Sequence, residues 1–276
     1  MMNDKSVNKV VGIFDSGLGG LSVLREIHSL LPTQPLYYIA DQAHVPYGKR
    51  KLSEIRRYSF AITDFFAAMG IQLIVVACNT ASAAALKELR EEYPHLTFVG
   101  MEPAVKPASQ KTHNGIVGVL ATPATFQGKL YNTLVERFAK DVKIFTHTCP
   151  GLVEAIESGN LSTNKAGKIL EEALLPMIEK GVDTIVLGCT HFPFVLPTIK
   201  EIVGPNISVI DPSLAIAKRV HTLLVDLDIL ENDPQNSNII FATSGKTDNF
   251  SSMIHSLLNR NISPIQIKWA DGKIIA

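Results

Sequence analysis

Cysteine, tryptophan and net charge are all scarce in this chain. Its 276 residues include three cysteines and one tryptophan, and 26 basic side chains balance 26 acidic ones. Three thiols in so long a chain cannot build a disulfide framework, and a reducing compartment keeps them free for nucleophilic, acid/base or metal chemistry. A formal net charge of +0, with no block of like charges, removes the electrostatic footprint of a nucleic-acid or membrane-surface binder. No apolar run approaches the ~18 residues of a spanning helix. The opening Met1-Met2-Asn3-Asp4-Lys5-Ser6-Val7-Asn8-Lys9 lacks the apolar stretch of a signal peptide. The expected setting is cytoplasmic, without nucleic-acid or membrane partners.

Apolar residues, at 46%, are plentiful enough for a large core, and the length suits one large or two ordinary domains. Short β-branched runs near residues 10–14, 36–40, 71–77, 97–100, 116–120, 143–146, 184–187, 208–210 and 238–242 alternate with longer helical patterns. That alternation is the signature of βαβ units and parallel sheets. Helices are predicted over 52–69, over 81–92 behind an Asn79-Thr80 cap, and from Pro193 onward.

Two of the apolar runs are alike. Ile74-Val75-Val76-Ala77-Cys78-Asn79-Thr80 and Ile185-Val186-Leu187-Gly188-Cys189-Thr190-His191 place their cysteines 111 residues apart. Gly12-Ile13-Phe14-Asp15-Ser16 and Gly118-Val119-Leu120-Ala121-Thr122 repeat at a similar offset. The expected fold is α/β: two pseudo-symmetric open parallel-sheet domains with helices on both faces and the active site at their interface. Glu102-Pro103-Ala104-Val105-Lys106-Pro107 reads as the crossover and Asp211-Pro212-Ser213 as the exit. The first domain is then 1–101 plus 212–276, and the second 102–211.

In open parallel sheets, ligands bind beyond the carboxyl ends of the strands, where helix N-termini point N–H groups outward. The residues there are Asp15-Ser16, Asp41, Cys78-Asn79-Thr80, Thr122 with Thr125, Cys149 and Cys189-Thr190-His191. Cys78 and Cys189 each follow a strand and precede a helix, whose positive end is expected to favour thiolate. Facing one another across a cleft, they would remove a proton on one face and deliver one on the other. Cys149, followed by Pro150, reads as structural. His191 reads as a proton-handling partner of Cys189, and Asp15 as a helix N-cap, a partner of Cys78, or both. Ser16, Asn79, Thr80, Thr122, Thr125 and Thr190 are neutral donors suited to carboxylate oxygens, or else to caps and turns. Gly17-Leu18-Gly19-Gly20 resembles a dinucleotide loop with Ser22 in place of the third glycine, and Asp41 stands where a ribose ligand would. Cys-x-His is too tight for a usual zinc pair, and no metal is expected.

Four motifs carry a resemblance to a family. They are Phe14-Asp15-Ser16-Gly17-Leu18-Gly19-Gly20-Leu21-Ser22-Val23, Asp41 through Pro46-Tyr47-Gly48, Ala77-Cys78-Asn79-Thr80-Ala81-Ser82, and Leu187-Gly188-Cys189-Thr190-His191-Phe192-Pro193. In this order they closely resemble the bacterial glutamate racemases. The resemblance implies cofactor-independent interconversion of L- and D-glutamate, supplying D-glutamate for peptidoglycan from a site between two domains. Cys78 and Cys189 match the catalytic cysteines. Asp15-Ser16, Tyr47-Gly48, Asn79-Thr80 and Thr190-His191 match the substrate-binding pairs, and Thr122 and Thr125 the threonines near the substrate carboxylate. Glu157, by spacing a better match than Glu154, would assist Cys189 with His191, as Asp15 would assist Cys78. A related aspartate or hydantoin racemase and a non-catalytic amino-acid-binding protein remain the alternatives. Homodimer formation and activation by a cell-wall precursor stay open.

Overall fold

Each of the nine apolar runs forms a strand in a parallel sheet. The structure, a computed structural model, describes residues 8–159 and 164–275. Residues 1–7 of the polar opening and Ala276, both inside the expected first domain, lie outside the described residues. The strands in chain order are β1 (Val11–Asp15), β2 (Leu36–Ala40), β3 (Leu73–Val76), β4 (Thr97–Gly100), β5 (Ile116–Ala121), β6 (Lys143–His147), β7 (Thr184–Gly188), β8 (Ser208–Ile210) and β9 (Ile239–Thr243). Three further strands, β10 (Ile265–Gln266), β11 (Lys268–Ala270) and β12 (Lys273–Ile275), have two or three residues each and carry no readable periodicity.

The strands form a six-stranded sheet of order β10-β9-β2-β1-β3-β4 and a four-stranded sheet of order β6-β5-β7-β8, with β11 and β12 in a separate antiparallel hairpin. Without β9 and β10, the first sheet runs β2-β1-β3-β4. Adding four to each strand number turns that into the second sheet, which is the pseudo-symmetry read from the repeated motifs. Strand order reverses at β1 and β3 in one unit and at β5 and β7 in the other, and such switch points leave a crevice beyond the strand ends. The C-terminal segment joins the first sheet through β9, which pairs with β2 from Leu36↔Ile239 to Ala40↔Thr243.

Continuous apolar runs suit these strands because both sheet faces are covered. On β1, Val11 and Ile13 pack with Leu21, Leu24 and Ile27 of the helix Leu21–Leu30 and with Val220 and Leu224 of Ser213–Asp226. Phe14 points the other way, into Ile55, Ile62 and Phe66 of Leu52–Ala68 and Ala85 and Leu89 of Asn79–Glu92. In the second unit, Leu120 and Leu187 meet Leu170 and Leu174 of Asn164–Glu179, while Val119 and Val186 meet Val105 and Tyr131. Each such side chain, taken from water to full burial, contributes about 1.5–3 kcal/mol. No described helix is long and apolar enough to cross a membrane.

Three local expectations are corrected. The helix after β3 begins at Asn79, so Asn79-Thr80 form its first turn and Cys78 is the cap. Asp15 caps no helix; Gly20 precedes Leu21–Leu30, and Asp15 Oδ1 instead accepts from Gly17 N at 2.8 Å. Pro193 sits in a short 3₁₀ turn, Phe192–Val195, which leads into the helix Leu196–Val203.

Candidate active site

Equivalent strands deliver the two thiols. Cys78 follows β3 and Cys189 follows β7, and both line one small cavity beyond the strand ends. They are 4% and 6% exposed, so the cavity is closed to bulk solvent around them. Cys78 Sγ accepts from Ala81 N at 3.4 Å and lies 4.0 Å from Ser16 Oγ, which is 3.5 Å from Asp15 Oδ1.

The helix N-terminus does not make Cys78 a thiolate, contrary to the expectation from the strand-helix junction. Burial, and after it the Asp15 carboxylate, push the thiol well above its ordinary range, and the Ala81 N–H only partly offsets them. The magnitudes explain why: a helix end is worth at most ~2 kcal/mol, whereas full burial can shift a titration by several units at about 1.4 kcal/mol each. Asp15 is itself raised by burial, against the opposing pull of His191 and the Gly17 N–H.

The Cys189 side is built differently. Its Sγ lies 3.7 Å from His191 Nδ1, and the other ring nitrogen, Nε2, lies 2.6 Å from Glu157 Oε1. Glu157 also accepts from Leu18 N at 2.6 Å and from Gln42 Nε2 at 3.2 Å. Burial opposes the Glu157 charge, but the hydrogen bond and field of His191, followed by the Leu18 and Gln42 donors, hold the carboxyl below its ordinary value. Burial likewise opposes a charged His191, yet its contacts with Cys189 and Glu157 carry it well above 6.5. Glu154, the other glutamate weighed from the sequence, instead pairs with Lys49 at the surface.

The glycine-rich turn after β1 serves close packing between the units. A Cβ on Gly17 would stand 2.1 Å from Glu157 Oε1, and one on Gly19 2.4 Å from Thr190 Oγ1 and 2.5 Å from His191 Nδ1. Thr190 Oγ1 donates to Asp15 Oδ2 at 3.1 Å, and Ser22, at the position of the missing third glycine, donates to the Thr190 carbonyl at 3.0 Å. These contacts leave no room for a pyrophosphate. Asp41 is fully buried and bonded to Tyr47 and Trp269, so the dinucleotide reading fails. Gly19→Ala is expected to destabilise the protein by about 2 kcal/mol through overpacking, read as a lowered denaturation midpoint with unchanged m. An unaltered midpoint would contradict the close approach.

Thr80 and Thr122, which line the cavity, join the units with Thr125, which lies behind the lining: Thr80 Oγ1 is 2.8 Å from Thr122 Oγ1 and 3.3 Å from Thr125 Oγ1, and the last two are 3.0 Å apart. Ser16, Tyr47, Gly48, Asn79 and Thr190 also line the cavity. Asn79 is 2% exposed, and both its amide oxygen and nitrogen lack a partner. Cys149 lies outside this lining, with its thiol 3.5 Å from His147 Nδ1 in an adjoining depression. Wider depressions near Leu31 and Lys218 and near Lys200 and Ile207 contain neither cavity cysteine. Among the described residues, no group of three or more His, Cys, Asp or Glu is placed to hold a metal ion.

Sequence reasoning missed Gln42, Tyr38, whose hydroxyl donates to Gly17 O at 2.8 Å, and Val153 in the cavity lining. Gln42 had a readable signal, since it follows Asp41 at the end of β2. Val153 had none, because an apolar residue on a short helix reads as core.

Known glutamate racemases are similar to this chain over nearly its whole length. A glutamate racemase of Roseiflexus sp. (strain RS-1) is 44% identical over 257 residues, covering 93% of this chain and 94% of that protein. The crystal structure of a glutamate racemase isoform from Bacillus anthracis superposes with a TM-score of 0.85 at 31% identity, covering 95% of this chain and 98% of the other. The Escherichia coli glutamate racemase, solved with L-glutamate and the activator UDP-MurNAc-ala, gives 0.81 at 33% identity over 97% and 99%. The family model for Asp/Glu/hydantoin racemases matches residues 12–220, a span that includes both cysteine strands and every residue placed around the cavity, and the chain belongs to that family.

Proposed function

We propose that this chain is a glutamate racemase that exchanges the α-proton between Cys78 and Cys189 and needs no cofactor. The observation that carries the reading is the unpartnered amide of buried Asn79 in a cavity lined by both thiols. A buried amide without partners costs several kcal/mol unless a ligand supplies them, and an amino acid offers both carboxylate acceptors and an ammonium donor. The reading treats residues 1–101 with 212–276 and residues 102–211 as the two units that close over the substrate. Incubation with L-glutamate followed by chiral analysis tests it; failure to form D-glutamate would refute it.

In the proposed reaction, one sulfur takes the α-proton as the other gives its proton to the opposite face. Each turnover leaves the protonation of the pair reversed, which is the state required for the reverse reaction. The local chemistry keeps Cys78 protonated before substrate arrives, so it enters as the acid, with Ser16 and Asp15 behind it. His191 and Glu157 stand behind Cys189. Negative charge growing on the substrate carboxylate would meet neutral donors in a closed cavity, where fixed dipoles act strongly. In the cell, this makes the protein a cytoplasmic source of D-glutamate for peptidoglycan. A UDP-linked precursor like that bound by the E. coli protein is then the candidate activator.

The His191–Glu157 pair sets a pH signature for stability. Glu157 has a depressed folded value, so its contribution is complete above the ordinary 4.5 and is lost as pH falls through the folded value. His191 has a raised folded value, so its contribution is complete below 6.5 and is lost as pH rises toward and past the folded value. Both are fully present between 4.5 and 6.5. The Tm difference between the wild type and Glu157→Gln is therefore expected to be greatest in that window and to shrink on either side. A difference that stays flat from acid to alkaline pH would contradict the pairing.

A further inference from the structure

Asp41 links the active-site cavity to the C-terminal hairpin. Its buried carboxylate accepts from Tyr47 Oη at 2.7 Å on Oδ2, and from Trp269 Nε1 at 2.7 Å and Ser244 Oγ at 2.8 Å on Oδ1. His44 Nδ1 also lies 2.8 Å from Oδ2. A buried carboxylate is costly without donors, and here they come from three separate parts of the chain: the loop after β2, the turn after β9, and β11. Tyr47 lines the cavity, and its neighbour Gly48 lies so close to the second unit that a Cβ there would be 2.7 Å from Thr122 Cβ. Trp269 lies beyond residues 12–220, so the hairpin supplies a group from outside the segment that the family model matches.

We propose that Trp269 is a positioning residue: through Asp41 it fixes Tyr47, and so holds the Tyr47-Gly48 wall of the cavity at the distance the substrate requires. The proposal rests on the racemase reading of that cavity. The wall is a loop, whose only regular structure is the 3₁₀ turn Tyr47–Lys49, so side-chain tethers must hold it. The tether is rigid at its far end. Trp269 meets His44 edge-on at 4.9 Å and Tyr58 at 5.5 Å, while His44 stacks on Tyr58 at 3.9 Å. Burial and the nearby Asp41 charge keep the Tyr47 phenol protonated, so it remains a donor to Asp41. Removing the indole N–H leaves Oδ1 with Ser244 Oγ at 2.8 Å and the longer His44 Nδ1 contact at 3.1 Å. The carboxylate is then held less firmly, and Tyr47 with Gly48 can drift from Thr122.

A loosened wall weakens substrate binding more than proton transfer, since the thiols lie on other strands. Trp269→Phe, which keeps an aromatic ring, is expected to raise KM for L-glutamate by about 5-fold and to change kcat by less than about 2-fold. Tyr47→Phe cuts the same tether, so the double variant should be no worse than the poorer single one. An unchanged KM in Trp269→Phe, or effects that multiply in the double variant, would overturn the proposal. If Trp269→Phe does not fold, Ser244→Ala removes another donor to the same carboxylate and must show the same KM rise and the same non-additivity.

Trp269 is the sole tryptophan, so its fluorescence reports on this one site. Tyr47→Phe should shift the emission without any substrate present, and an identical spectrum would refute the tether. That measurement separates the two ideas: a wild-type protein inactive on glutamate sinks the racemase reading, whereas an active one with unlinked variants sinks only the role of Trp269.

Discussion

Cys78→Ser and Cys189→Ser are each expected to lower kcat for L-glutamate by about 1000-fold or more, with Tm within a few degrees of the wild type. The size follows from the chemistry. A positioned acid or base contributes roughly 100- to 10,000-fold, and inversion needs one on each face, so either loss stops the exchange. A hydroxyl is a far weaker base than a thiolate near neutral pH. The fold should survive because each change replaces one sulfur with a smaller oxygen in the same geometry. At Cys78 the replacement even suits the backbone: Sγ caps the helix Asn79–Glu92 through Ala81 N, and serine is a preferred N-cap. Chiral chromatography of the product, with thermal melts as control, decides it. A folded single variant that racemises at near-normal rate would end the two-thiol mechanism.

The second large effect is selectivity: kcat/KM for L-glutamate is expected to exceed that for L-aspartate by about 100-fold or more. Both substrates present the same α-carbon, and the proposed reaction requires it between Cys78 and Cys189. Discrimination must then come from the donors that hold the distal carboxylate, which we assign to the Ser16 hydroxyl and to backbone N–H groups of Tyr47-Gly48 and Thr190, since the Tyr47 and Thr190 hydroxyls already donate to Asp41 and Asp15. These are held by contacts that cross the two units. Thr190 is bonded to Asp15, its carbonyl accepts from Ser22, and Gly48 abuts Thr122. Such a framework cannot contract by a methylene to follow a shorter substrate. Aspartate would leave buried donors unpaired or pull its α-carbon out of line. Equal kcat/KM values for the two substrates would remove the distal-carboxylate assignment and move the activity to the broader racemase group.

The strand pattern and the repeat were legible in the sequence because they arise from local chemistry. A run such as Ile74-Val75-Val76 has few alternatives to a strand buried on both faces, and two runs that end in cysteine at a similar offset imply equivalent strands in two units. The order β2-β1-β3-β4 echoed by β6-β5-β7-β8 follows from that repetition. The residue types at the strand ends were visible for the same reason, since parallel strands finish in polar turns.

The tertiary structure decided what those residues meet. Nothing local says that Gly17 and Gly19 are small to admit Glu157, Thr190 and His191, and read along the chain they imitate a dinucleotide loop. The state of Cys78 was misjudged because the favourable helix end is encoded beside it, whereas the burial and the Asp15 charge that outweigh it come from distant parts of the fold. Glu157 parts from Glu154 only because one turn of helix carries it to His191 and leaves Glu154 with Lys49. Asp41, bonded to Tyr47, reaches Trp269 228 residues further along the chain, a contact that exists only once β9 has paired with β2. By itself the sequence determined the strands, their duplication and the chemistry at their ends, because these depend on neighbours in the chain. Charge states, the roles of the glycines and the Asp41 tether depend on neighbours in space, and only folding brings those together.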